Sequence, residues 1–92
     1  MSIRLVLENH SRRPYYSLRF RSTDFLSSRS GQRIDAKEVS FEPEILDLAA
    51  QTREYVTMHV AVPSTADPGS YIARVEAIGV HGIATIVTVD LT

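Results

Sequence analysis

The stretch VAVPSTADPGSY, residues 60–71, decides how the rest of the chain is read. Val60, Ala61 and Val62 close an alternating apolar run, and Pro63 ends it, because proline has no N–H to give to a strand ladder. Asp67-Pro68-Gly69 has the composition of a reverse turn: proline presets its own φ, and glycine accepts the positive φ that can follow. Tyr71 opens the next run. Strand, stop, turn and strand in such short succession are the punctuation of an antiparallel β domain. Pro63, Pro68 and Gly69 are therefore assigned to the turn. Tyr71 is expected to bury its ring and bond its hydroxyl to a loop carbonyl, as in a tyrosine corner.

The flanking runs agree. In Glu54–Val62, Val56, Met58, Val60 and Val62 share one face, with Tyr55, Thr57, His59 and Ala61 on the other. Ser70–Ile78 puts Tyr71, Ala73, Val75 and Ala77 together, and Gly79-Val80-His81-Gly82 reads as a hairpin turn into a last strand, Ile83–Leu91. Upstream, Ile3, Leu5 and Leu7 alternate with polar or exposed positions. Asn9–Pro14 is a polar turn. Tyr15–Ser22 is expected to form one strand, with Tyr16, Leu18 and Phe20 inward and Tyr15, Ser17, Arg19 and Arg21 outward. Phe25 and Leu26 anchor a short segment before the loop Ser27–Gln32, where Gly31 is free to take positive φ. Arg33–Phe41 is extended, and Glu42-Pro43 marks an edge, a kink or a change of sheet. Glu44–Ala50 is too short to nucleate a helix alone, so a short strand is expected there, with Ile45 or Leu46 and Leu48 inward.

About seven short strands without a convincing helix specify an all-β fold, an immunoglobulin-like antiparallel β-sandwich in one domain over residues 1–92. The expected core is Ile3, Leu5, Leu7, Tyr16, Leu18, Phe20, Val39, Phe41, Leu46, Leu48, Val56, Met58, Val60, Val62, Tyr71, Ala73, Val75, Val87 and Val89. A chain of this length buries roughly 60–65% of its unfolded surface, enough for one modest core.

The series Phe41-Glu42-Pro43, Leu46-Asp47-Leu48, Val56–Val62, Pro63, Asp67-Pro68-Gly69-Ser70-Tyr71 and a closing hairpin resembles bacterial immunoglobulin-like or fibronectin-III-like accessory domains. It is most similar to the sandwich domains associated with bacterial α-galactosidases and to cell-adhesion-related domains. The resemblance covers most of the chain and its motifs are structural. It implies a non-catalytic spacer, interaction module or subunit attached to other machinery.

The residues themselves carry little chemistry. The chain has no cysteine, which removes disulfides, thiolate metal sites and cysteine nucleophiles. His10, His59 and His81 stand far apart and lack ligand spacing, so no metal site is expected. No Gly-x-Ser-x-Gly elbow, ordered Ser/His/Asp set or phosphate-cradling glycine loop appears; no enzyme activity and no cofactor are expected. No apolar run has signal-peptide or membrane-span length, which favours a cytoplasmic protein; the other reading is a domain excised from a longer secreted chain.

Net charge is −1, but unevenly placed. Residues 1–37 hold eight basic side chains against three acids, a net +5, and residues 38–92 hold two against eight, a net −6. In a sandwich the halves interleave, so mutual neutralisation is the simplest outcome. The polar surface singled out is Tyr15, Arg19 and Arg21 in a row, with Arg12 and Arg13 just beyond, a face able to bind carboxylate or phosphate groups. A second candidate surface is the set of apolar outward positions Tyr55, Thr57, Ala61, Ile72, Ile78, Ala84 and Ile86. The expected function is a protein–protein interaction or assembly module, with a protein partner or self-association. The alternatives are a carbohydrate-binding accessory domain using Tyr15 and Tyr55, or a polyanion-binding module using the Arg19/Arg21 face; nucleic acid is not the expected partner.

Overall fold

A computed structural model describes residues 1–80 and 82–92, so the expectation for His81 lies outside the described residues. The fold is all-β, and every strand pair is antiparallel. In chain order the strands are β1 (Ser2–Glu8), β2 (Tyr15–Leu18), β3 (Phe20–Ser22), β4 (Phe25–Ser27) and β5 (Arg33–Ile34). After a 3₁₀ turn over Ala36–Glu38 come β6 (Val39–Glu42), β7 (Leu46–Leu48), β8 (Arg53–Val60), β9 (Gly69–Ala77) and β10 (Ala84–Leu91). No helix among the described residues is long and apolar enough to cross a membrane.

Two sheets face each other across a shared core. One has the order β1-β8-β6; the other runs β10-β9-β4-β5, with β3 also on β9. Met58 and Val60 from the first meet Tyr71, Ala73, Val75, Val87 and Val89 from the second, and Phe25 and Ile34 complete this cluster. The period-2 pattern produces it directly: β9 buries Tyr71, Ala73, Val75 and Ala77 and exposes Ile72 and Arg74 between them. A smaller cluster of Leu18, Leu48 and Ala77 forms around the β2–β7 pair, with Tyr15, Phe20 and Leu46 packed on it.

The turn at residues 60–71 closes this core. Tyr71 is fully buried, and its hydroxyl donates to the Asp67 carbonyl at 2.8 Å while lying 2.9 Å from Gln32 Oε1. Gln32 also accepts from the Asp67 N–H at 2.7 Å and donates to the Thr65 carbonyl at 3.2 Å. Gly69 takes φ of 130°, a value closed to most side chains, where the turn enters β9.

Several expectations are corrected. Tyr15–Ser22 is not one strand: β2 pairs with β7, whereas β3 pairs with β9. Between the pairs Tyr15↔Leu48 and Leu18↔Leu46, three steps on β2 oppose two on β7, and Ser17 takes φ of 54°. Such a bulge reverses the alternation. Tyr16, expected in the core, is therefore 71% exposed, while Tyr15, expected outside, is half-buried against the smaller cluster. Among the described residues ten strands form where about seven were expected, because breaks at Arg19 and Thr23–Asp24 separate β2, β3 and β4. The 3₁₀ turn Ala36–Glu38 likewise interrupts the segment Arg33–Phe41 that was expected to be extended throughout. Phe25 and Ile34, left out of the expected core, are buried to 0% and 1% exposure. The segment after Pro43 is a short strand, with Leu46 and Leu48 inward and Ile45 exposed.

Tyr71→Phe should lower stability by about 1–2 kcal/mol through the lost hydroxyl bond. Tyr71→Ala should cost roughly 3 kcal/mol or more, from the cavity it leaves. Chemical denaturation of both variants checks the order and the gap between them.

Candidate functional site

On the outer face of β1, β8 and β6, antiparallel register brings distant residues together. Ser2 lies opposite His59, which also faces Ser40, and Glu42 lies two pairs along on β6, the next position on the same face. Ser2 Oγ lies 2.8 Å from His59 Nδ1, and His59 Nε2 lies 3.0 Å from Glu42 Oε2. Hydroxyl, imidazole and carboxylate in line are the parts of a nucleophilic relay. They stand, however, on an open sheet face, where ladder bonding holds the backbone N–H groups in the sheet plane and aims none at an oxyanion above it. What the arrangement does here is tie three strands together. Sequence reading missed it because positions 2, 42 and 59 have no local spacing; only the register joins them.

Further along the same face, the Arg4 guanidinium sits 3.8 Å from the centre of the Tyr55 ring, a cation–π contact. Arg53 binds Glu8 at 2.7 Å, and Glu8 also holds His10 at 3.0 Å. The Tyr55 side chain first, and then the Glu8 carboxylate, raise the Arg53 pKa above its ordinary value. Tyr55 thus already has a cation over one of its faces.

The expected arginine row does not form. Arg12 and Arg13 are exposed in the β1–β2 loop, and Tyr15 turns toward the smaller cluster. Arg19 lies between β2 and β3, where the chain leaves one sheet for another, and its carbonyl accepts from the Ile78 N–H at 2.8 Å. Arg21 is ion-paired with Glu76, which also contacts Arg74 at 3.7 Å. Arg21–Glu76 joins a base of the basic part to an acid of the acidic part, as interleaving predicts. The loop holding Arg12 and Arg13 is fixed by Asn9, which is buried. Its Nδ2 donates to the carbonyls of Arg13 and Ala49 at 2.7 and 3.2 Å, and its Oδ1 accepts from the Ser11 N–H at 3.0 Å.

The outward apolar positions divide between two faces. Tyr55 and Thr57 lie on the β1-β8-β6 sheet, whereas Ile72, Ala84 and Ile86 lie on the other. On that second face Leu26 pairs opposite Ile72, and Ile86 sits two pairs along on β10, diagonal to Ile72 on the same face, so the three side chains line one surface. With Thr23, Asp24, Arg33 and Arg74 they line one shallow depression. Leu26 was legible as an apolar residue, but its outward direction follows only from Phe25 taking the inward place. A separate cleft of about 270 Å³ opens where the two sheets part, between β1 and the start of β10, lined by Leu5, Leu7, Phe20, Leu48, Ala77 and Ile83 among others.

These sheets and their shared core place the chain in the all-β class of antiparallel folds. No family model matches the chain, and no curated protein does. Among solved structures it is similar to a family 123 glycoside hydrolase from Clostridium perfringens, studied for the details of glycolipid glycan hydrolysis, with a TM-score of 0.76 at 13% identity. The match covers 100% of this chain and 21% of that one. At that identity the likeness is one of fold alone.

Tyr16→Ser should leave stability within about 0.5 kcal/mol of the parent, as expected for an exposed side chain. Tyr15→Ser should destabilise by well over that margin, and urea titration of the two variants compares them.

Proposed function

We propose that this chain is an immunoglobulin-like β-sandwich that acts without catalysis, as a small accessory or assembly module binding protein. The observation that carries this reading is the outer face of β4, β9 and β10. There Leu26, Ile72 and Ile86 adjoin at 48%, 42% and 62% exposure, rimmed by Asp24, Arg33 and Arg74. An apolar centre with a charged rim is the composition of a protein contact. Two facing sheets with a common core support the sandwich assignment. The likeness of the whole chain to about a fifth of a longer hydrolase supports an accessory role.

A carbohydrate-binding role is the second reading, and the observation favouring it is Tyr16. Its ring is 71% exposed and next to Ser17, whose N–H is held by Asp47 Oδ1 at 2.9 Å. An exposed ring can stack on the face of a sugar. A solved structure similar in fold belongs to a family 123 glycoside hydrolase studied for glycolipid glycan hydrolysis, which supports this reading. Polyanion binding has less support, because the arginines it needs are dispersed.

A photo-reactive side chain placed at Ile72 and, separately, at Tyr16 separates these readings when illuminated in the producing cell. The expected outcome is a protein cross-link from position 72, mapped to one peptide, and none from position 16. Specific glycan-array binding that Tyr16→Ser removes, with no protein cross-link from position 72, would replace the interaction reading by the carbohydrate one.

A further inference from the structure

β10 is eight residues long and has one ladder partner: it pairs with β9, and no strand among the described residues pairs along its other side. The hydrogen-bond phase identifies the groups left over. The Ala77 N–H donates to the Ile83 carbonyl at 2.9 Å, and this pair continues the register that sets Glu76 against Ala84. Hydrogen-bonded pairs alternate along an antiparallel ladder. Thr85, Val87, Val89 and Leu91 therefore direct their backbone groups at β9. Ala84, Ile86, Thr88 and Asp90 direct theirs at the free edge. That edge is a row of donors and acceptors that only another extended backbone satisfies in full.

The free edges of β1, β6 and β5 carry protective features that β10 lacks. β1 places Arg4 and Glu8 at its edge-facing positions, and both are engaged by β8, through Tyr55 and Arg53. β6 stops at Glu42 against Pro43, and β5 has two residues, one of them Arg33. Charge, proline and brevity all discourage edge pairing. β10 holds no proline, no basic residue and no register break, and its one charge, Asp90, sits near its end.

The geometry points to a second copy of this chain as the occupant: β10 pairs antiparallel with its own copy about a two-fold axis at Val87. This rests on reading the chain as an interaction module. In that register Ala84 lies opposite the copy's Asp90, and Ile86 opposite its Thr88. Side chains stay on their own faces, as a continuous pleat requires, and no like charges face each other. A register moved by two residues toward the end of the strand sets the apolar Ile86 against the charged Asp90. In the chosen register Ile86 and its copy are diagonal neighbours, within reach across roughly 7–8 Å. The apolar strip of Leu26, Ile72 and Ile86 then continues from one copy into the next. The mouth of the cleft at Ile83 comes to lie beside the copy's Leu91 and is closed from that side. The contact is isologous and ends at two copies.

Sedimentation velocity of the full chain across a wide concentration range, with amide exchange read by NMR on the same samples, tests this. A dimer is expected to appear as concentration rises, together with slowed exchange at Ala84, Ile86, Thr88 and Asp90. Thr88→Pro removes an N–H that the monomer does not use and should abolish the dimer while leaving the monomer's unfolding midpoint in place. Ile86→Lys should weaken dimerisation about tenfold or more, and Ile72→Lys should leave it largely intact. A chain that stays monomeric with those four amides exchanging freely overturns the self-pairing, as does a dimer lost in Ile72→Lys but kept in Thr88→Pro. Should Thr88→Pro fail to fold, the exchange pattern of the unaltered chain decides alone. A cross-link from position 72 to a different protein, in a chain that sediments as a monomer, removes the self-pairing and keeps the interaction reading.

Discussion

The buried Tyr71 ring and its hydroxyl are the constraint on which the second sheet depends. The ring fills the space between β8 and the β9–β10 pair, while the hydroxyl holds the Asp67 carbonyl of the turn leading into β9. Gln32 extends this tie to the β4–β5 loop through Asp67 and Thr65. One side chain thus sets where β9 starts. Because β9 carries β10 on one side and β3 and β4 on the other, its starting point fixes the register of the whole sheet.

That register also settles the outer surface. With Tyr71, Ala73 and Val75 inward, Ile72 and Arg74 must point out, and Ile72 meets Leu26 because β4 is paired at that level. The same inheritance leaves the backbone of Ile86 and Thr88 at an open edge. An apolar face and an unpaired edge on one strand are consequences of a single alternation. Both are features that soluble domains keep only where something covers them or where they are small.

Much of this was legible in the residues. Val56, Met58, Val60, Tyr71, Ala73, Val75, Val87 and Val89 alternate without interruption, and all are buried. Long strands tolerate no slip of phase, so a simple period read their inward faces correctly. Short strands do allow it. Between Tyr15 and Leu18 one extra residue exchanges the environments of Tyr15 and Tyr16, and nothing in the local composition announces the bulge. The same change of sheet disperses the arginines that looked like a row. The Ser2–His59–Glu42 tie was hidden for a different reason, since three residues on three strands become neighbours only after pairing.

By itself the sequence determined the β class, the long strands with their buried faces, and the turn around Pro68-Gly69, because alternation and turn chemistry act over a few residues. Tertiary structure alone decided which strands adjoin, where the bulge falls, and which apolar side chains meet outside. Those outcomes are set by long-range pairing and by competition for one small core. A strand such as β10 acquires a free edge only once every other strand has found its place.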